Sequence, residues 1–89
     1  MIASQGYREG IEGPTTVAEG GVITVSVHNG ATEVSVYVNN DPNGVTYPVV
    51  NGRVLIPVPP GVTGGSLITV MTASPIPTAI TVEVVSTMH

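Results

Sequence analysis

From Thr15 onward, apolar and polar residues alternate with a period of two, and turn-forming clusters interrupt the alternation at intervals of roughly 8 to 12 residues, the spacing of an all-β sandwich or barrel. In "VITVSVHN", Val22 to Asn29, Ile23, Val25 and Val27 share one face, and Thr24, Ser26 and His28 share the other. After the turn "NGAT", the run "EVSVYVN" sets Val34, Val36 and Val38 inward against Glu33, Ser35, Tyr37 and Asn39. Both are half-buried strands. The pair is expected to be antiparallel neighbours or close in space.

"NNDPNG", Asn39 to Gly44, gathers residues that close turns with side-chain hydrogen bonds or accept positive φ, and it ends the second strand. Val45 to Val50 and Arg53 to Val58 follow, joined by Asn51-Gly52, a pair suited to a type I′ turn. They are expected to form a hairpin. Then come a loop "PPGVTGGS", a strand "LITVMT", a proline-bearing connection "ASPIPT" and a last strand "AITVEVVS", with Ile80, Val82 and Val84 on one face. These runs make six strands, with a seventh around Thr15 to Ala18, and no segment carries a helical period of useful length. The predicted core is Ile23, Val25, Val27, Val34, Val36, Val38, Val54, Ile56, Ile80, Val82 and Val84.

Met1 to Pro14 contains glycine and charge without sustained alternation. It reads as an N-terminal arm, residues 1–14, with too little apolar surface to order it in an isolated monomer, and it is an alternative contact surface that assembly would order. Residues 15–89 read as one domain. A chain of 89 residues has room for a single core, and its small margin of burial makes self-association or docking on a partner favourable.

Strand number, order and length predict an all-β fold: a small immunoglobulin-like Greek-key sandwich of about seven strands, with a small barrel as the alternative. The runs "GGVITVSVHNGATEVSVYVNN", "VNGRVLIPVPPGVTGGSLITVMTA" and "TAITVEVVS" resemble the immunoglobulin-like domains common in bacterial surface proteins and in accessory proteins of phage virions. The resemblance spans most of Thr15 to Ser86. It implies a display or adhesion module and assigns no binding residues. The Cys and Trp pattern of antibody domains is absent, and no tyrosine is placed for a tyrosine corner.

The hydrophobic fraction of 42% against 9% charged residues separates this chain from charged, aliphatic-poor disordered sequences. The net charge of −4, with Arg8 and Arg53 the sole fixed cations, leaves no basic patch for phosphates, so neither nucleic acid nor an anionic membrane is an expected partner. Apolar runs fall far short of the roughly 20 residues of a spanning helix. Without cysteine there is neither a disulfide nor a thiolate metal site. With Met1 as the natural start, synthesis and first folding in the cytoplasm are expected, because "MIASQGYREGIEG" lacks the basic start and apolar core of a signal peptide. If Met1 is not the natural start, a removed signal stays open.

Chemistry-bearing residues are sparse. His28, Glu33 and Asp41 fall on two strands and a loop without motif spacing, "NNDPN" has one carboxylate for a calcium ion that wants several oxygens, and no "GxSxG" accompanies the serines. No enzyme activity, cofactor or metal is therefore expected. What remains is the margin of the sheet. Proline cannot donate to a ladder, so Pro48 and Pro57 are tolerated where the N–H side faces outward, at an edge or bulge. They either guard that edge against aggregation or mark a docking surface, formed by Tyr47, Pro48, Leu55 and Pro57, with Tyr47, Leu55 and Pro57 facing away from the valine core. Tyr37 joins Tyr47 as the aromatic pair available to a sugar.

Two functions follow as expectations. One is a structural or interaction module on a repeating assembly, a phage or virus particle being the best fit, made in the host cytoplasm and carried on the virion. The other is a carbohydrate- or cell-surface-binding module of a secreted multidomain protein, located outside the cell. Burying an aliphatic side chain contributes about 1.5–3 kcal/mol, so Val36→Asp is expected to unfold or precipitate the domain. A Val36→Asp protein with an unchanged melting curve would show that the strand register is wrong.

Overall fold

The computed structural model describes residues 7–8, 10–73 and 77–86. Among them the chain forms nine strands: β1 (Tyr7–Arg8), β2 (Ile11–Glu12), β3 (Thr16–Ala18), β4 (Val22–Val27), β5 (Glu33–Val38), β6 (Val45–Pro48), β7 (Arg53–Pro57), β8 (Leu67–Thr72) and β9 (Thr78–Val85). One sheet has the order β1-β2-β4-β7 and the other β3-β9-β8-β5-β6. Every ladder is antiparallel except β3 with β9, which is parallel. The two sheets face each other as a sandwich and do not close into a barrel, since β7 pairs only with β4 and β6 only with β5.

Alternation explains the core. Ile23, Val25 and Val27 of β4, Val54 and Ile56 of β7, Val34 and Val36 of β5, and Ile80, Val82 and Val84 of β9 are all buried between the sheets. Ile68 and Val70 of β8, with Ala31 and Val58 at strand ends, complete the same cluster. Val38, predicted to be core, is half-buried and packs at its margin. It is the last residue of β5, where the chain leaves the sheet through Asn39 at φ 53°. The one buried polar side chain among the described residues, Thr72, accepts a hydrogen bond from Asn29 Nδ2 at 3.2 Å.

Two expected ladders do not form, although the first pair of runs still shares one core. The runs Val22–Val27 and Glu33–Val38 are not ladder neighbours: β4 and β5 lie in opposite sheets and turn their valines toward the common core. A period of two specifies which face is buried and leaves the ladder partner open. The chain changes sheet at His28 to Thr32, where Gly30 has φ 85° and Asn29 Oδ1 accepts the Ala31 N–H at 3.0 Å.

The Val45 to Val58 hairpin is also absent. Its turn forms, with Asn51 at φ 54° and Gly52 at φ 75°, and Val50 and Arg53 exchange N–H···O bonds of 2.9 and 3.0 Å. Beyond that bridge the arms part, β6 to the five-stranded sheet and β7 to the other. The prolines supply the reason. A hairpin closed by Val50 and Arg53 would next exchange bonds between residues 48 and 55 and then between 46 and 57, because bonded pairs recur at every second residue. Pro48 and Pro57 occupy those two steps and have no N–H to give.

Of the segment read as an arm, residues 7–8 and 10–14 are described and bring β1 and β2 into the four-stranded sheet, and the rest lies outside the described residues. Ile11 pairs with Val27 and is 0% exposed. Gly13 lets the chain cross from one sheet to the other, because a Cβ there would stand 2.8 Å from Ile80 Cδ1. Periodicity missed Ile11 because two-residue strands are too short to alternate. Deleting a buried isoleucine side chain down to Ala costs about 2–5 kcal/mol. Ile11→Ala is therefore expected to lower the denaturant midpoint as much as Val25→Ala does, and an unchanged midpoint would detach β2 from the core.

Candidate functional site

Both prolines sit on edge strands, and ladder parity shows where their nitrogens point. Val58 N–H donates to Gly21 O at 2.9 Å and Val27 N–H to Gly52 O at 2.8 Å. Bonded pairs between β4 and β7 therefore include 23 with 56 and 25 with 54. Arg53, Leu55 and Pro57 turn their backbone groups away from β4, to the open edge. On the other sheet, Val49 N–H donates to Thr32 O at 2.9 Å, which by the same count turns Thr46 and Pro48 outward from β5. Neither proline removes a ladder bond. Each deletes a donor from an open edge, and Arg53 spends its edge groups on Val50. Among the described residues, Leu55 alone turns both an N–H and a C=O to the open side of β7 without a hydrogen bond there.

Beside these edges lies an open groove of about 800 Å³ lined by Thr24, Tyr47, Pro48, Val50, Asn51, Arg53 and Leu55. The I′ turn builds it by carrying the chain around the corner between sheets, which leaves Val50 62% and Leu55 63% exposed. Leu55 sits opposite Thr24 on the outer face of the four-stranded sheet, with Arg53 two residues before it on the same face. Arg53 has no carboxylate within ion-pair distance among the described residues. The groove is thus an apolar trough with one unpaired guanidinium.

Of the five residues expected at the surface site, Tyr47, Pro48 and Leu55 line this groove. Pro57 lies one step further along β7, opposite the exposed Val22. Tyr37 is elsewhere, in a shallow depression of about 340 Å³ with Asn39, Asn40, Asp41, Thr69 and Met71. Tyr47 does not turn away from the core as expected: it pairs with the buried Val34 and packs against the core cluster from the sandwich edge. Tyr37 is half-buried because Gly44 rests on its ring, where a Cβ would stand 2.6 Å from Cε2. Val50, Asn51, Arg53 and Thr24 were not anticipated. Arg53 was the detectable one, as one of two cations placed next to the Asn-Gly turn.

The remaining polar residues are dispersed. His28 Nε2 stands 4.0 Å from Glu12 Oε1, both well exposed, an arrangement worth little in water. Glu33 is on the other sheet. Asp41 Oδ1 accepts the Asn43 N–H at 2.9 Å, closing the "NNDPN" turn, while Asn39 Oδ1 accepts the Leu67 N–H at 3.0 Å. No three His, Asp or Glu side chains converge among the described residues. Comparison with protein-family descriptions, characterised proteins and solved structures gives no match.

An edge that regains its donors regains a template for another chain. Pro48→Thr and Pro57→Thr are expected to shift stability by no more than about 1 kcal/mol each and to accelerate aggregation of the double variant. Light scattering at matched concentration checks this, and a double variant as soluble as the wild type would show that the prolines do not guard the edges.

Proposed function

We propose that this chain is a non-enzymatic interaction module, an immunoglobulin-like sandwich that docks on a protein partner through the groove between β6 and β7. The immunoglobulin-like reading rests on strand order. β2, β4 and β7 stand as A, B and E do in that fold, and β9, β8, β5 and β6 stand as G, F, C and C′. Among the described residues, no D strand covers the edge beyond E. The functional reading rests on one observation: exposed Leu55 and Val50 surround an unpaired Arg53 at a double edge whose prolines discourage strand addition. A surface that resists main-chain pairing but offers apolar side chains suits side-chain docking.

A repeating scaffold is the partner we favour, in the form of a phage or virus particle that carries the module after its synthesis in the host cytoplasm. A 9.0 kDa domain offers a small contact, and many copies on a lattice raise its effective strength by avidity. The alternative, a carbohydrate- or cell-surface-binding module outside the cell, calls for open aromatic faces. Here Gly44 covers part of Tyr37, and Tyr47 leans on the core.

In an extract of its source, the wild-type chain is expected to sediment with large particles. Leu55→Glu, a change at a 63% exposed position, is expected to keep the melting curve and move the chain to the low-mass fraction. A wild-type chain found only in the low-mass fraction overturns the particle reading. A Leu55→Glu chain that stays on the particles overturns the groove.

A further inference from the structure

The outer faces of the two sheets carry patches of matching design and opposite charge. On the four-stranded sheet, Arg53 and Leu55 lie two residues apart on β7, with Val50 beside Arg53 across the I′ turn and Val22 further along β4. On the five-stranded sheet, Glu83 and Val85 lie two residues apart on β9, and Leu67 of β8 sits directly opposite Glu83. Val84 N–H donates to Ser66 O at 2.8 Å, so residues 67 and 83 form a non-bonded pair, in which side chains approach most closely. Five of the six large hydrophobic residues left exposed among the described residues (Val22, Val50, Leu55, Leu67 and Val85) belong to these two patches, Val45 being the sixth.

Neither central charge has a partner in its own chain among the described residues. Arg53 and Glu83 make no ion pair there, nor does the exposed Glu33, whereas Glu19 is engaged with the Gly64 N–H at 2.6 Å and Asp41 with its own turn. Scattered exposed aliphatic residues are ordinary. Exposed aliphatic side chains beside each of two opposite charges that lack an ion pair among the described residues, on opposite faces of one domain, make a more specific arrangement. We propose that the occupant of the Arg53 groove is a second copy of this chain, presenting Glu83 with Leu67 and Val85.

The contact joins two different surfaces, so it is head-to-tail. Such contacts propagate into rings when the rotation closes and into filaments when it does not. Packing Leu55 and Val50 against Leu67 and Val85 removes apolar surface from water, and the Arg53–Glu83 pair selects register by charge complementarity more than it adds affinity. The blunted edges work in the same direction, since they disfavour the competing edge-to-edge dimer. This inference rests on the contact-module reading above and makes the neighbouring copy in the repeating assembly the occupant of the groove.

Sedimentation velocity on the purified chain alone tests it. The wild type is expected to add one subunit at a time as concentration rises toward about 1 mM, and less so in about 1 M salt, where screening is strong. Arg53→Glu and Glu83→Arg are each expected to weaken association at least about tenfold. Mixing the two variants is expected to restore it, because every contact then joins opposite charges. Both positions are exposed, so the melting curve should not move. If either reversal lowers it, Arg53→Gln and Glu83→Gln repeat the test and must each weaken association. A wild type that stays monomeric, single variants that associate like the wild type, or a mixture without recovery overturns the head-to-tail contact. Those outcomes leave the groove to a different protein, which the particle fractionation above detects separately.

Discussion

The architecture turns on the obligation of every backbone donor and acceptor to find a partner, and on two residues that have no donor. Pro48 and Pro57 stand at the two positions where a hairpin closed at Asn51-Gly52 would need an N–H on each successive bonded step. With that zip interrupted, the arms satisfy their backbones elsewhere. Residues 45–48 bond to β5 and residues 53–57 to β4. In those ladders both proline nitrogens face outward. The same missing donors that split the hairpin therefore also shield the strands it becomes. One chemical absence, used twice, converts a local turn into a corner between two sheets and leaves a groove at the corner.

The core accommodates this because it asks little of side-chain shape. It is built from valine and isoleucine, with no Phe or Trp in the chain. β-branched residues suit a pleated surface and lose little rotamer freedom there. The cost of so plain a core is its size, and short segments must contribute. Ile11, carried by a two-residue strand, is among the most deeply buried side chains. Gly13 then brings the chain close against Ile80 on its way to β3, which pairs in parallel with β9. The segment from β2 to β3 is thereby shared between the sheets, tying both layers together at the opposite end of their orders from β6 and β7.

The faces of the strands were legible in the sequence, and their partners were not. Ile23, Val25 and Val27 announce a buried face through alternation alone, and they are buried. That β4 lies beside β7 rather than β5 is a long-range fact that no local period encodes. The hairpin is different, because the information was present. Counting bonded steps outward from Asn51-Gly52 reaches Pro48 and Pro57 at donor positions, which argues against a ladder between the arms. The groove was partly legible for the same reason. Leu55 lies outward by parity, whereas Tyr47 lies inward in either ladder, opposite Ile56 in a hairpin closed at Asn51-Gly52 and opposite Val34 in the observed sheet, so parity argued against its outward placement from the start. Val50 and Arg53 become neighbours of Leu55 through the turn, a proximity that alternation does not report.

A surface of this kind constrains the manner of any contact more than the identity of the partner. Strand addition recruits a partner through the main chain, which is nearly indifferent to sequence and grows without limit along an open edge. At β7 that route is reduced to Leu55, because Arg53 is bonded to Val50 and Pro57 has no N–H. A partner must instead be met through side chains: the aliphatic walls of the groove and the one guanidinium within it. Side-chain docking of this size binds weakly and discriminates by charge and shape. Weak contacts can also be remade when they form in error, and in an array their number supplies the strength that each one lacks. The edge chemistry that keeps the isolated domain from sticking to itself without register thus also favours contacts that are specific, reversible and additive.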